Sequence, residues 1–173
     1  YSSGGKQITN VNGRVFFSLS NYGYDNELYN SDGTTAGTQM IHTINPYGNS
    51  NPSYLTAFKG LLYFSANGGN GTMLWQSDGT DAGNRPVNNS NNNYLDNNTV
   101  MRFIIKDYSL YFTGYSSDND GTEFFKYDAS NAANSVEIVK DINPGTYSNN
   151  LYNITNVNGT LFFIGDDGVH GTE

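Results

Sequence analysis

Asn30-Ser31-Asp32-Gly33-Thr34 returns as Gln76-Ser77-Asp78-Gly79-Thr80. The recurrence decides the fold, because it is one landmark of an internal repeat that runs through the chain. An aromatic strand sets the register. Val15-Phe16-Phe17, Leu62-Tyr63-Phe64, Leu110-Tyr111-Phe112 and Leu161-Phe162-Phe163 are spaced by about 47, 48 and 51 residues. Asn12-Gly13, Lys59-Gly60, Asp107-Tyr108 and Asn158-Gly159 precede these strands at the same steps. Glu27-Leu28-Tyr29, Met73-Leu74-Trp75 and Glu123-Phe124-Phe125 follow the first three. Ile44-Asn45-Pro46 recurs two periods later as Ile142-Asn143-Pro144, whereas the second repeat has lost it around Asn88 to Asn93.

Each repeat reads as four short strands. Asn-Gly between apolar runs signals a tight hairpin, since both central residues of a type I′ turn need φ > 0. Ile8 to Val11 therefore pairs with Val15 to Leu19 across Asn12-Gly13. Glu27 to Asn30 forms a third strand and Thr38 to Ile44 a fourth, with Asp32 to Gly37 as the loop between them. Two repeats strain the pattern. Tyr108 stands where the others have glycine, so a different turn is expected there. Asn84-Arg85-Pro86-Val87-Asn88 replaces the fourth strand of the second repeat, and proline confines that strand to a sheet edge or frays it.

Four strands in about 48 residues is the size of a propeller blade. The expected fold is all-β: a β-propeller-like array of four-stranded antiparallel blades, about three and a half in number. It forms an incomplete ring or part of a larger propeller. The chain is read as one repeat domain, 1–173, with blades at approximately 7–53, 54–101 and 102–152 and a half-blade at 153–173. Gly171-Thr172-Glu173 falls inside a repeat, so the expectation is a piece of a longer protein or a protomer that completes its sheets with another chain. No window keeps a helical apolar period for three turns.

Composition narrows the function. Eight Lys plus Arg against 16 Asp plus Glu give a net charge of −8, which disfavours nucleic acid and acidic membrane surfaces as partners. Cysteine is absent, which removes disulfides and thiolate metal sites. Apolar content is low at 36% while aromatic content is 14%, as suits short aromatic strands joined by polar loops. With abundant Asn, Gly, Ser, Thr and Tyr, the composition fits a bacterial secreted or surface protein. No membrane span is evident in the sequence. The tract Asn88 to Asn98 is low in complexity and reads as a surface loop.

Glu27 to Thr38, Glu-Leu-Tyr-Asn-Ser-Asp-Gly-Thr-Thr-Ala-Gly-Thr, resembles the ELWxxDGT repeat family. Lys140 to Gly145, Thr155 to Phe163 and Asp166 to Glu173 are similar to other parts of its consensus. The resemblance covers essentially the whole chain, with the second and third copies degenerate. It implies tandem propeller-like repeats of large extracellular bacterial proteins, frequent in Bacteroidetes and often carrying a type IX secretion sorting domain. Surface attachment and glycan recognition are the implied roles, and no catalytic residue is carried over.

The candidate sites follow from loop chemistry. Asp118, Asp120 and Glu123 crowd one turn, and the fourth repeat offers Asp166, Asp167 and Glu173. Hard cations want six to eight oxygen ligands, so Ca²⁺ is the metal such turns would take. The bland alternative is an ordinary acidic turn, favoured because the second repeat has no carboxylate there. Asp32, Asp78 and Asp128 are expected to cap loops through backbone amides. Tyr22, Tyr24, Tyr47 and Tyr115 are candidate glycan contacts. Trp75, aromatic in every copy, reads first as core and second as a stacking platform. His42 and His170 are the only histidines and suggest no triad. The leading expectation is a non-catalytic extracellular module binding a glycan or protein partner, completed by further blades or a second copy. A calcium-dependent lectin-like propeller is the alternative, and a propeller-scaffold glycoside hydrolase the third reading.

Overall fold

A computed structural model describes residues 7–21, 25–41, 44–87, 101–116, 121–129, 136–143 and 151–172. Among them there is no helix, and the strands form four antiparallel sheets. The first contains β1 (Ile8–Val11), β2 (Arg14–Asn21), β3 (Asp25–Ser31) and β4 (Gln39–Met40). The second contains β5 (Ser53–Phe58), β6 (Leu61–Asn67), β7 (Thr72–Ser77) and β8 (Arg85–Pro86). The third contains β9 (Met101–Lys106), β10 (Ser109–Ser116), β11 (Gly121–Asp128) and β12 (Val136–Lys140). The fourth has two strands, β13 (Tyr152–Val157) and β14 (Thr160–Ile164). Strand order follows chain order, so every sheet is a meander.

The hairpins form where the turn residues place them. Asn12 and Gly13 take φ of 53° and 84°, Lys59 and Gly60 48° and 78°, and Asn158 and Gly159 50° and 84°. The Asn10 and Asn156 side chains accept the N–H of Gly13 at 3.1 Å and of Gly159 at 2.9 Å. At the third hairpin Asp107 takes φ 54° but Tyr108 does not enter the positive region, so the turn does differ there. A side chain with a Cβ avoids the left-handed region, and one positive φ is what a type II′ turn requires.

The fourth strands of the first two sheets are short, two residues each. Among the described residues only Gln39 and Met40 of the expected run from Thr38 to Ile44 pair with β3; His42 and Thr43 lie outside them. Ile41 donates its N–H to the Leu28 carbonyl at 2.8 Å, and Ile41 and Ile44 turn inward to be buried. Burying two isoleucine side chains is worth about 1.5–3 kcal/mol each, more than two further ladder bonds return. In the second sheet β8 is a two-residue edge strand, as its proline dictates.

The chain divides into two compact units, Tyr1–Pro86 and Val87–Glu173. In the first, the core joins Phe16, Leu28, Ile44, Leu55 and Leu62 with Phe64, Met73 and Trp75. In the second, Phe124, Leu151 and Ile154 are buried, with Ile104, Tyr111, Ile142 and Leu161 packed against them. The two cores use the same repeat positions. Phe16, Leu28, Ile44, Leu55 and Leu62 correspond to Tyr111, Phe124, Ile142, Ile154 and Leu161. Within each unit, the first strand of one sheet lies beside the first strand of the next, β1 by β5 and β9 by β13.

Candidate functional site

The Asp-Gly-Thr loops are built twice in the same way. Asp32 Oδ1 accepts the Thr34 N–H at 2.9 Å and the Thr34 hydroxyl at 2.8 Å. Thr34 Oγ1 in turn accepts the Gly37 N–H at 2.9 Å. Asp78 Oδ1 accepts the Thr80 N–H at 2.8 Å and hydroxyl at 2.7 Å, and Thr80 Oγ1 accepts the Gly83 N–H at 3.1 Å. Gly33 and Gly79 occupy φ of 93° and 92°, a conformation that excludes most side chains. A Cβ on Gly37 would stand 1.9 Å from Asp32 Oδ1, and one on Gly83 2.0 Å from Asp78 Oδ1. The order Asp-Gly-Thr-x-x-Gly is thus a structural specification: aspartate folds over the last glycine, which must lack a side chain.

These hydrogen bonds favour the ionised carboxylates. The Thr34 backbone amide, then its hydroxyl, holds the Asp32 carboxyl below its usual range, and the Thr80 hydroxyl, then its amide, does so for Asp78. Hydrogen bonds to the ionised form favour it. Asp128 ends β11, and its carboxylate faces Lys126 Nζ at 3.2 Å; the loop residues 130–135 that follow lie outside the described residues.

The acidic turn of the fourth repeat is also capped from within. Asp166 Oδ1 accepts the Gly168 N–H at 2.8 Å. Asp167 Oδ1 accepts the N–H of Val169 at 2.9 Å and of His170 at 2.7 Å, while Oδ2 meets His170 Nδ1 at 2.7 Å. The His170 backbone amide and ring are the leading causes that hold Asp167 far below the ordinary carboxylate range. Asp118, Asp120, Glu173 and His42 lie outside the described residues. Glu123 is fully buried and accepts the Ile142 N–H at 3.4 Å. Among the described residues no three His, Asp or Glu side chains converge as a metal site.

The aromatic candidates separate by exposure. Trp75 is 8% exposed and belongs to the core, paired with Phe64 across β6 and β7. Tyr47 is 92% exposed in the turn after Pro46. Tyr115 stands in β10, with its side chain outside the description. Tyr22 and Tyr24 lie outside the described residues.

Sequence reasoning missed the junction between repeats. Glu27, 6% exposed, accepts the Ser50 N–H at 3.3 Å, and the fully buried Ser50 hydroxyl donates to its other oxygen. Asn45 Oδ1 accepts the Tyr47 N–H at 2.9 Å and lies 3.4 Å from where a Cβ of Gly69 would be. Asn143 lies 2.4 Å from where a Cβ of Gly168 would be. The asparagine of Ile-Asn-Pro therefore leans on a glycine of the next repeat, in both units. The available signal was the joint recurrence of Glu and Ile-Asn-Pro in the first and third repeats.

No protein-family model and no curated protein matches the chain. Among the described residues, no helix is long and apolar enough to cross a membrane.

Proposed function

We propose that the chain is a non-catalytic extracellular repeat module, propeller-like in form and related to the ELWxxDGT repeat family. It attaches to a glycan, a surface or a partner protein through its loops. One observation carries this reading. The polar side chains that recur from repeat to repeat act on the frame itself: Asp32 and Asp78 on their own loops, Glu27 and Glu123 on the connections. Recurrence here serves construction, and repeated construction serves multivalent display. The propeller-like form is supported by the neighbouring first strands, β1 by β5 and β9 by β13, because blades meet through equivalent strands. Tyr47, an exposed aromatic on a rigid turn, is a contact of the kind a sugar ring stacks on.

Binding of the full chain to an array of bacterial and host glycans, with and without chelator, tests the proposal. The expected result is binding that strengthens when the chain is displayed in several copies, survives chelation and weakens in Tyr47→Ala. Loss of binding on chelation transfers the assignment to a calcium-dependent lectin. Turnover of a glycan that disappears with one carboxylate substitution transfers it to a hydrolase.

A further inference from the structure

Glu27 and Glu123 are buried carboxylates at the same repeat position, the third residue of the third strand, opposite Leu19 and Gly114. Neither belongs to the loop caps. Both reach the segment that leads to the next repeat. In the first unit the link has three points. Glu27 on β3 receives the Ser50 amide and hydroxyl, and the Ser50 carbonyl accepts the N–H of Asn67 at the end of β6 at 2.7 Å. Around it, Asn51 donates to the Asn26 carbonyl at 3.0 Å, and the Asn26 amide donates to Asn49 Oδ1 at 3.1 Å. The first sheet is thereby bonded to the connection, and the connection to the second sheet. In the second unit Glu123 receives the Ile142 amide, and Asn143 rests on Gly168.

The second repeat differs at both ends of this link. Met73, 6% exposed, occupies the glutamate position opposite Ala66 and packs in the apolar cluster. A thioether is at best a weak acceptor and cannot hold a backbone amide as a carboxylate does. The sequence that follows, from Asn88 to Asn93, carries no Ile-Asn-Pro. The chain divides between Pro86 and Val87, at the end of β8 within this repeat. The boundary between compact units coincides with the repeat that has methionine in place of glutamate.

We propose that Glu27 and Glu123 are latches that lock one repeat onto the next, so that a latched pair of repeats, and not a single repeat, is the cooperative unit of the array. The glutamate supplies acceptors, the returning segment supplies donors, and Ile-Asn-Pro fixes the turn that presents them. A repeat with methionine at this place ends a unit. The glutamate thus writes the unit length into the sequence, independently of what the loops bind.

Native-state hydrogen exchange on the full chain tests this, read in sub-denaturing denaturant. In the wild type the slowest amides of β2 and β6 are expected to exchange through one common opening. In Glu27→Met the two sheets should exchange through separate openings. The amides of Ser50 and Asn67 should then exchange about tenfold faster or more, while the β2–β3 ladder keeps its protection. Ser50→Ala removes only the hydroxyl and should show the same separation in weaker form, which keeps the test available if Glu27→Met does not fold. Glu123→Met should leave the first unit unchanged. Separate openings of β2 and β6 already in the wild type would overturn the proposal. So would one shared opening in every variant.

Discussion

The second and fourth repeats carry the same strand, and the structure treats it in opposite ways. Leu62-Tyr63-Phe64 is almost wholly buried, whereas Phe162 and Phe163 are 56% and 37% exposed. The hairpins match, with left-handed Lys59-Gly60 and Asn158-Gly159 turns, and so does the register, Ala57 facing Leu62 and Asn156 facing Leu161. The difference is the third strand. β6 lies between β5 and β7, which sets Trp75 opposite Phe64. Among the described residues β14 pairs with β13 alone, and the Phe163 ring rests against Phe124 at 5.3 Å. The first and third repeats agree with the second, with Tyr29 stacked on Phe17 at 5.9 Å and Phe125 on Phe112 at 5.6 Å. An aromatic triplet therefore specifies a strand; how far it is buried depends on everything that flanks it, since Phe17 is only half-buried even beside Tyr29.

The largest test of that comparison truncates the paired residues. Phe64→Ala removes a buried ring from the first core and should cost about 3–5 kcal/mol, measured by denaturant unfolding of the Tyr1–Pro86 signal. Phe163→Ala, at the equivalent position of the fourth repeat and 37% exposed, should cost no more than about 1–2 kcal/mol, measured by denaturant unfolding of the Val87–Glu173 signal. Equal costs would show that the third strand is not what separates the two repeats.

The repeat made most of the sheets legible, because Asn-Gly turns and apolar triplets act through local backbone preference. It did not reveal the bulges. Tyr54, Arg102 and Asn153 take φ of 55°, 48° and 55°, each at a register shift in the first strand of its sheet. Nothing in Tyr, Arg and Asn as side chains announces this. The common cause is position, since each precedes an apolar residue, Leu55, Phe103 or Ile154, and bulging re-aims that side chain. The shortened fourth strand escaped for a related reason. An apolar run looks like a strand whether its residues stay in the ladder or leave it to fill the gap between sheets. The Asp-Gly-Thr caps were legible because they are local. The Glu27–Ser50 link was not, because its two ends are brought together only when the chain returns after β4.

A smaller effect sharpens the account of the loops. Gly37→Ala places a methyl group on the Asp32 carboxylate and should cost about 1–3 kcal/mol in thermal or denaturant unfolding. Combining it with Asp32→Ala should recover part of that loss, because the clash and the cap are one contact. Strict additivity would separate them. The cap also gives a pH signature. The folded Asp32 and Asp78 carboxyls lie below the ordinary value of 3.8, so their contribution is complete above that value. It declines as pH falls through the lower folded values. Asp32→Asn with Asp78→Asn should flatten the acid limb of the melting curve below about pH 4 and leave its neutral plateau parallel to wild type.

The smallest expected change, and the only one with a stabilising sign, concerns the third hairpin. Asp107 already takes the left-handed conformation, but Tyr108 does not follow it, and its ring is 68% exposed. Replacing Asp107-Tyr108 with Asn-Gly restores the residues that the first and fourth hairpins use for two consecutive positive φ angles. Type I′ and type II′ turns both match the right-handed twist of the flanking strands, but type II′ prefers glycine at its first central position, where Asp107 stands. The exposed Tyr108 ring buries little area, and the Lys106–Asp107 ion pair lost with it is a surface pair of small worth. Glycine adds disorder to the unfolded chain, which offsets part of the gain. The net should be a stabilisation of about 0.3–1 kcal/mol, seen as a small upward shift of the unfolding midpoint at constant slope. A downward shift would mean that Tyr108 holds the β9–β10 hairpin through its ring, and the third repeat would then be a variant fitted to its own place and no longer a worn copy of the others.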